Sequence, residues 1–255
     1  MQQTMISKDK WIRRFRAQPN AGMRLFCFPY AGGSSVIYQG WQEAFPNLEI
    51  SAIELPGHGV RFQETPLVRM EPIVDALVTA LPLDRPYAFF GYSLGARVAF
   101  ELTRRLRRDR RQEPLHLFAA ASPAPHIIDE DPPKHLLPEP EFLAALRKLG
   151  GTPEEALNQP ELMELVSKVL RADFAVLETY RCEPDAPLSC PLTVFGGHED
   201  HEVPFEELEA WKIHTTGAFA LRMFAGGHFF LRQERTALLS AVSGILSGGA
   251  ASASV

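Results

Sequence analysis

The stretch Tyr87–Leu102, YAFFGYSLGARVAFEL, decides the fold. Its opening residues, Tyr87 to Phe90, are apolar and aromatic, the composition of a short buried strand. From Ala96 to Leu106 helix formers dominate, with Val98, Leu102 and Leu106 at helical spacing. Between the two runs, Gly91-Tyr92-Ser93-Leu94-Gly95 fits G-x-S-x-G, the nucleophile elbow, in which a serine sits on a strained turn from strand to helix. Glycines flank it because a Cβ at either position would clash as the helix folds back on the strand. The pattern alone arises by chance in about one chain in ten of this length. The competing reading is a tight turn with an idle serine, so the rest of the chain must decide.

Outward from the elbow, strand-like and helix-like segments alternate. MRLFCFPYAGGSS breaks from a strand into a Gly-rich loop, and LEISAIELPGHG ends in a Pro-Gly turn. Met70 to Leu81 reads as a helix, with Pro72 tolerated in its first turn. PLHLFAAASP, PLTVFGG and FALRMFAGG are further strands, the last two separated by a helical stretch around Glu206 to Ile213. This alternation predicts an α/β fold: a mostly parallel central sheet with helices on both faces. Sites in such sheets lie at the C-terminal ends of the strands. Gly32-Gly33, Ser93, Asp200 and His228 all fall just after an expected strand.

One segment breaks the alternation. From about Ala124 to Arg181 a Pro-rich approach leads into helical patterns and no strand. Its length exceeds an ordinary connection, which predicts a helical lid inserted over the C-terminal edge of the sheet. In its last helix, Glu161 to Tyr180, Leu162, Leu165, Val169 and Leu177 are expected to face the core or a channel, the core being the usual home of an apolar stripe. The whole chain is expected to be one domain. Its final helix spans about Arg235 to Leu246, and a small-residue tail, 247–255, is expected to be disordered. The elbow helix closes on a basic run, RRLRRDRRQEP, Arg104 to Pro114. Its arginines are read as solvated cations favourable to the helix dipole.

Composition narrows the function. The 255 residues are 45% hydrophobic and 22% charged, with a formal net charge of −5. That charge disfavours a general nucleic-acid binder. No apolar run approaches a membrane span, and the polar start, MQQTMISKDKWIRRF, lacks the apolar core of a signal peptide. A cytoplasmic protein is expected, with no nucleic acid and no membrane among its partners. Cys27, Cys182 and Cys190 are an odd count without metal spacing, and free thiols are expected.

A serine hydroxyl needs a base beside it, and the base needs an orienting acid. The order serine, acid, histidine suits the elbow. Of eight histidines, His228 in FAGGHFFL follows the last strand and precedes the C-terminal helix, where the base is needed. His58 in LPGHG also follows a strand but precedes the serine in the chain. His116, His126, His135 and His214 receive no chemical role. FGGHEDHEVP supplies the acid from Glu199, Asp200 or Glu202; Asp200, mid-loop and leading into Val203-Pro204, is preferred. A rival reading has His198, Asp200 and His201 binding a metal with His228 nearby. The loop lacks the i, i+4 histidine pair of HExxH, so no metal is expected. Donors for a developing oxyanion are expected at the N–H of Leu94 and at the N–H of Ala31 or Tyr30.

Taken together, RLFCFPYAGGSS, LPGHGVRF, FFGYSLGA, VFGGHEDHEVP, FAGGHFFL and the opening WIRRF resemble the stand-alone type II thioesterases of polyketide and non-ribosomal peptide synthesis. The resemblance runs from about Trp11 to the last helix. It implies the α/β-hydrolase fold and hydrolysis of acyl thioesters from the phosphopantetheine arm of acyl or peptidyl carrier proteins. It also implies Ser93, Asp200 and His228 as the triad and residues 124–181 as the lid. Phosphopantetheine then belongs to the substrate and no cofactor is needed. Two positions vary: LPGHG stands where relatives often have a Pro-Gly-Arg form, and Tyr92 where many carry His. Two other functions remain open at this point: a carboxylesterase for small free esters, and a carrier-protein binding module without catalysis.

Overall fold

The computed structural model describes residues 10–129 and 131–250. Among them seven strands form one sheet: β1 (Ile12–Arg13), β2 (Met23–Phe28), β3 (Leu48–Ile53), β4 (Tyr87–Tyr92), β5 (Leu117–Ala120), β6 (Leu192–Gly197) and β7 (Phe219–Phe224). Their spatial order is β1-β3-β2-β4-β5-β6-β7. β1 is antiparallel to β3; the other pairs are parallel.

The strand residues divide by alternation, as a two-sided sheet demands. Phe26, Phe28, Tyr87 and Phe89 point into one core, which they share with α1 (Met70–Ala80) and α2 (Leu94–Arg108). Leu25, Cys27, Ala88 and Phe90 point into the other, against Leu238, Val242 and Leu246 of α8 (Arg235–Ala250). Phe26, Phe89 and Phe90 are fully buried, and burying such a ring stabilises by roughly 1.5–3 kcal/mol. Residues of β4 are buried along its whole length. That is why the run Tyr87–Phe90 shows no polar alternation.

The order of strands places the site. The chain passes from β2 to β3 on one side, then returns to lay β4 on the other side of β2. The direction reverses between β2 and β4, and a crevice opens beyond their C-terminal ends. The Gly-rich loop after β2 and the elbow after β4 are its two lips.

The expected strandless insertion holds α3 (Glu139–Leu149), α4 (Glu154–Leu157) and α5 (Pro160–Thr179). Phe142, Leu146, Leu157, Met163 and Leu170 give these helices a small core of their own. The expected phase of α5 holds at Leu177, which packs on the core and lines a cavity, and fails at the other three positions. Leu162 is 38% and Leu165 69% exposed, and Val169 is only half-buried. The buried face instead carries Met163, Ser167, Leu170, Asp173 and Val176. Two polar residues interrupt that face, so the apolar pattern pointed one residue away from it.

Other expectations also shift. β1 is two residues long, too short to show a period, and pairs through Ile12 with Ile53. The stretch around Glu206–Ile213 is α6 (Phe205–Glu209) followed by a 3-10 helix, Ala210–His214. A four-residue α7 (Phe230–Gln233) precedes α8. Because α8 runs to Ala250, residues 247–250 of the expected disordered tail are helical, and 251–255 lie outside the described residues. The basic run is not simply solvated. Arg104 is buried on Glu101 and the Glu183 carbonyl, Arg105 pairs with Asp75 and Asp109, and Arg107 pairs with Asp185 at 2.9 Å. All three cysteines are free thiols. No described helix is long and apolar enough to cross a membrane.

Candidate active site

Ser93 stands between β4 and α2 with φ 51° and ψ −113°, a left-handed conformation for a residue with a side chain. Such strain costs of order 1–3 kcal/mol. It persists because the neighbourhood leaves no alternative. A Cβ on Gly91 would run into the carbonyl of Gly95 and meet Ala96 N at 2.5 Å, and one on Gly95 would run into the carbonyl of Phe28. The Ser93 N–H donates to the carbonyl of Ala120 at 2.7 Å, pinning the turn to β5. Strand and helix thus close on each other, and the hydroxyl is left at the crevice.

His228 follows β7 on a loop opened by Gly226 and Gly227. Its Nε2 lies 3.3 Å from Ser93 Oγ, and its Nδ1 lies 2.9 Å from Asp200 Oδ2. The Asp200 side chain is wholly buried after β6. Its Oδ1 accepts the N–H groups of Glu202 at 2.9 Å and Val203 at 3.2 Å. A carboxylate so held can only accept, so Nδ1 donates to it. Nε2 is then the unprotonated nitrogen facing the serine hydroxyl. Of the alternative acids, Glu199 is exposed, and half-buried Glu202 donates its backbone N–H to Asp200. His198 and His201 are exposed too. Among the described residues no three His, Cys, Asp or Glu side chains are grouped to hold a metal.

A cavity of about 740 Å³ opens over these groups, lined by Tyr30, Ala31, Ser93 and His228. It is roofed by Val166, Leu170, Phe174 and Leu177 of α5. Of the expected oxyanion donors, Tyr30 and Ala31 border it, and Leu94 directly follows Ser93. Leu94 begins α2, so its N–H belongs to the first turn and has no partner within the helix. Ala31 and Tyr30 lie on the loop after β2, where the Tyr30 carbonyl accepts the Gly33 N–H at 2.8 Å.

Three features received no role from the sequence. Tyr92, beside the serine, donates its hydroxyl to the carbonyl of His228 at 2.5 Å and ties the His228 loop to the elbow. Burial pushes its pKa well above the usual tyrosine value. Arg97, one turn along α2, lines the cavity with only 7% of its surface exposed. Its Nε has no hydrogen-bond partner among the described residues, and burial lowers its pKa. Finally, Asp173 of α5 accepts hydrogen bonds from Gly32 N at 2.7 Å and His58 Nε2 at 2.8 Å. Among the charged residues of amphipathic α5, nothing local marks Asp173 as the one that is buried and makes these contacts.

Comparison with known proteins bears on the family and the fold. The thioesterase domain family matches residues 23–246. Linear gramicidin dehydrogenase LgrE of Brevibacillus parabrevis is 38% identical over 252 residues, 96% of each chain. Thioesterase PikA5 of Streptomyces venezuelae is 38% identical, covering 90% of this chain and 83% of its own. The solved type II thioesterase BorB from the borrelidin biosynthetic cluster superposes with a TM-score of 0.84 at 37% identity, over 93% of this chain and 98% of its own. An elbow serine at the switch point of an α/β-hydrolase sheet, within a chain of which nine-tenths or more matches such relatives, leads to one assignment: the protein belongs to the thioesterase family, among the type II thioesterases of polyketide and non-ribosomal peptide synthesis.

Proposed function

We propose that Ser93, His228 and Asp200 are the catalytic triad of this thioesterase, and that its substrates are acyl groups carried on the phosphopantetheine arm of acyl or peptidyl carrier proteins. The observation that carries the reading is the hydrogen-bonded row Ser93 Oγ, His228 Nε2, His228 Nδ1, Asp200 Oδ2, at 3.3 and 2.9 Å, opening into one cavity. His228 takes the Ser93 proton as Oγ attacks the thioester carbonyl. Asp200 holds the imidazole in the right tautomer and stabilises its cation. The N–H groups of Leu94 and Ala31 receive the oxyanion; one such donor is worth a factor of about 10²–10³ in kcat. His228 gives that proton to the departing pantetheine sulfur, and the neutral imidazole then deprotonates the water that clears the acyl-serine, returning the proton to Ser93 Oγ. The chemistry needs no metal or redox cofactor. "Dehydrogenase" in one relative's name is said of that protein; a serine–histidine–aspartate row serves acyl transfer rather than hydride transfer. The test compares turnover of an acyl-loaded carrier protein and of acyl-pantetheine with turnover of a simple aryl ester. Preference for the ester would make the chain a carboxylesterase, and turnover of none of the three would leave only a binding role.

The helices α3 to α5 act in this reading as a lid whose underside receives the acyl chain. Val166, Leu170, Phe174 and Leu177 recur at helical spacing along the cavity roof. Val166→Trp is expected to shorten the longest acyl chain hydrolysed by several carbons, with kcat for acetyl-pantetheine within about threefold. The measurement is kcat/KM across a chain-length series. An unchanged preference would put the channel elsewhere.

The basic end of α2 is not assigned to carrier docking. The helix is 15 residues long, so its far end lies about 22 Å below the serine at 1.5 Å per residue. Arg107 is held by Asp185 and the Pro187 carbonyl, whereas Arg108 is exposed. Arg108→Glu is expected to leave the KM for acyl-carrier protein within about threefold. A tenfold rise confined to the carrier-bound substrate and weakened by salt would move the docking face here.

A further inference from the structure

His58 and Asp173 are buried together at the back of the Gly-rich loop, with 4% and 2% of their surfaces exposed. The row Ser93–His228–Asp200 does not use them. His58 follows β3 in the turn Leu55-Pro56-Gly57-His58, and Asp173 lies in the middle of α5. The two meet only because α5 crosses the C-terminal edge of the sheet.

Both ring nitrogens of His58 face oxygens that carry no proton. Nδ1 lies 3.0 Å from the carbonyl of Pro56, and Nε2 lies 2.8 Å from Asp173 Oδ2. A neutral imidazole has one N–H and can satisfy only one of them. The imidazolium satisfies both. Asp173 Oδ2 accepts a second hydrogen bond, from Gly32 N–H at 2.7 Å. Gly32 follows Ala31, and its φ is +74°. A Cβ there would strike the Leu170 side chain of α5, so helix and loop are in direct contact. The carboxylate therefore spans three elements: the helix that bears it, the turn after β3, and the loop that offers the Ala31 N–H.

We propose that the His58 imidazolium and Asp173 carboxylate are a positioning pair for the reaction: through the Gly32 N–H they fix the loop that carries the oxyanion donor to α5, so that the donor is in place only while α5 is seated. The proposal rests on reading Ala31 as that donor. The pair touches neither substrate nor the reacting atoms, and it acts by holding backbone.

A pH dependence follows from the proton count. Around His58 stand Asp173 from α5, Glu54 from the end of β3, and Arg61 from the turn that follows. Glu54 is buried and accepts Ser35 N–H at 3.1 Å and Ser35 Oγ–H at 2.7 Å. Arg61 donates to the Glu54 carbonyl at 2.9 Å and pairs with Glu64. Burial by itself depresses the His58 pKa, but Asp173, the Pro56 carbonyl and Glu54 together outweigh it and hold it above the ordinary histidine value. A raised pKa means that the pair is intact at lower pH and is lost as pH rises through the folded-state value. Loss of the proton removes a donor and leaves a buried carboxylate without its counter-ion.

The test uses the full chain, with acyl-pantetheine as substrate and an alkyl boronic acid as a mimic of the tetrahedral adduct. Asp173→Asn is expected to lower kcat about tenfold to a hundredfold, up to the lower end of the range for outright loss of one oxyanion donor, with KM within about threefold. Boronate affinity should fall by the same factor. His58→Arg keeps a permanent cation beside Asp173. It is expected to retain at least about a third of wild-type kcat and to lose the alkaline fall in kcat that wild type shows. A folded Asp173→Asn protein with unchanged kcat and boronate affinity overturns the proposal. So does an alkaline limb that persists in His58→Arg, a result that decides the matter even if Asp173→Asn does not fold. Failure of the thioesterase reading looks different: wild type itself would not turn over acyl-pantetheine.

Discussion

Ser93→Ala is expected to lower kcat/KM for acyl-pantetheine by at least about a thousandfold, since removing the nucleophile of a triad costs that much or more. The fold should survive. The hydroxyl is the last atom of a half-buried side chain, and the turn is held by the backbone bond to Ala120 and by the closeness of Gly91 and Gly95 to their neighbours. Thermal unfolding checks the fold, and steady-state hydrolysis checks the rate. Residual activity above about a thousandth of wild type would mean that some other group attacks the thioester.

Asp200→Asn should be nearly as damaging, by about 10⁴ in kcat. An asparagine must keep its carbonyl oxygen where Oδ1 now accepts Glu202 N–H and Val203 N–H. Its NH₂ then faces His228 Nδ1, where a hydrogen-bond acceptor now lies at 2.9 Å. The imidazole must turn Nδ1 into an acceptor, which puts its proton on Nε2, facing Ser93. The base is present but in the wrong tautomer. Chelators should change nothing in the wild-type enzyme. Loss of activity on dialysis against a chelator, restored by a divalent ion, would return Asp200 to the metal reading.

Much of this site is legible in the amino-acid sequence because its signals are local. Ser93, Asp200 and His228 each sit on a short loop directly after an apolar strand, and chain order separates His228 from His58. The elbow announces itself within five residues, since the backbone geometry that exposes a serine there excludes a Cβ on either side. The same locality explains the readable strands: a segment buried on both faces is apolar throughout, whatever its neighbours are.

The strand order, by contrast, belongs to the tertiary structure. Backbone hydrogen bonds are alike for any pair of strands, and nothing within β2 or β4 says that they lie side by side. Yet that adjacency makes the crevice and brings the Ala31 loop beside Ser93. The working face of α5 was equally hidden. Ser167 and Asp173 interrupt its buried stripe, and a polar residue in such a stripe is intelligible only once its partner is known. For Asp173 the partners are Gly32, 141 residues away, and His58, 115 residues away. A buried charge is tolerable only when paired, and pairing at that separation is a property of the folded chain.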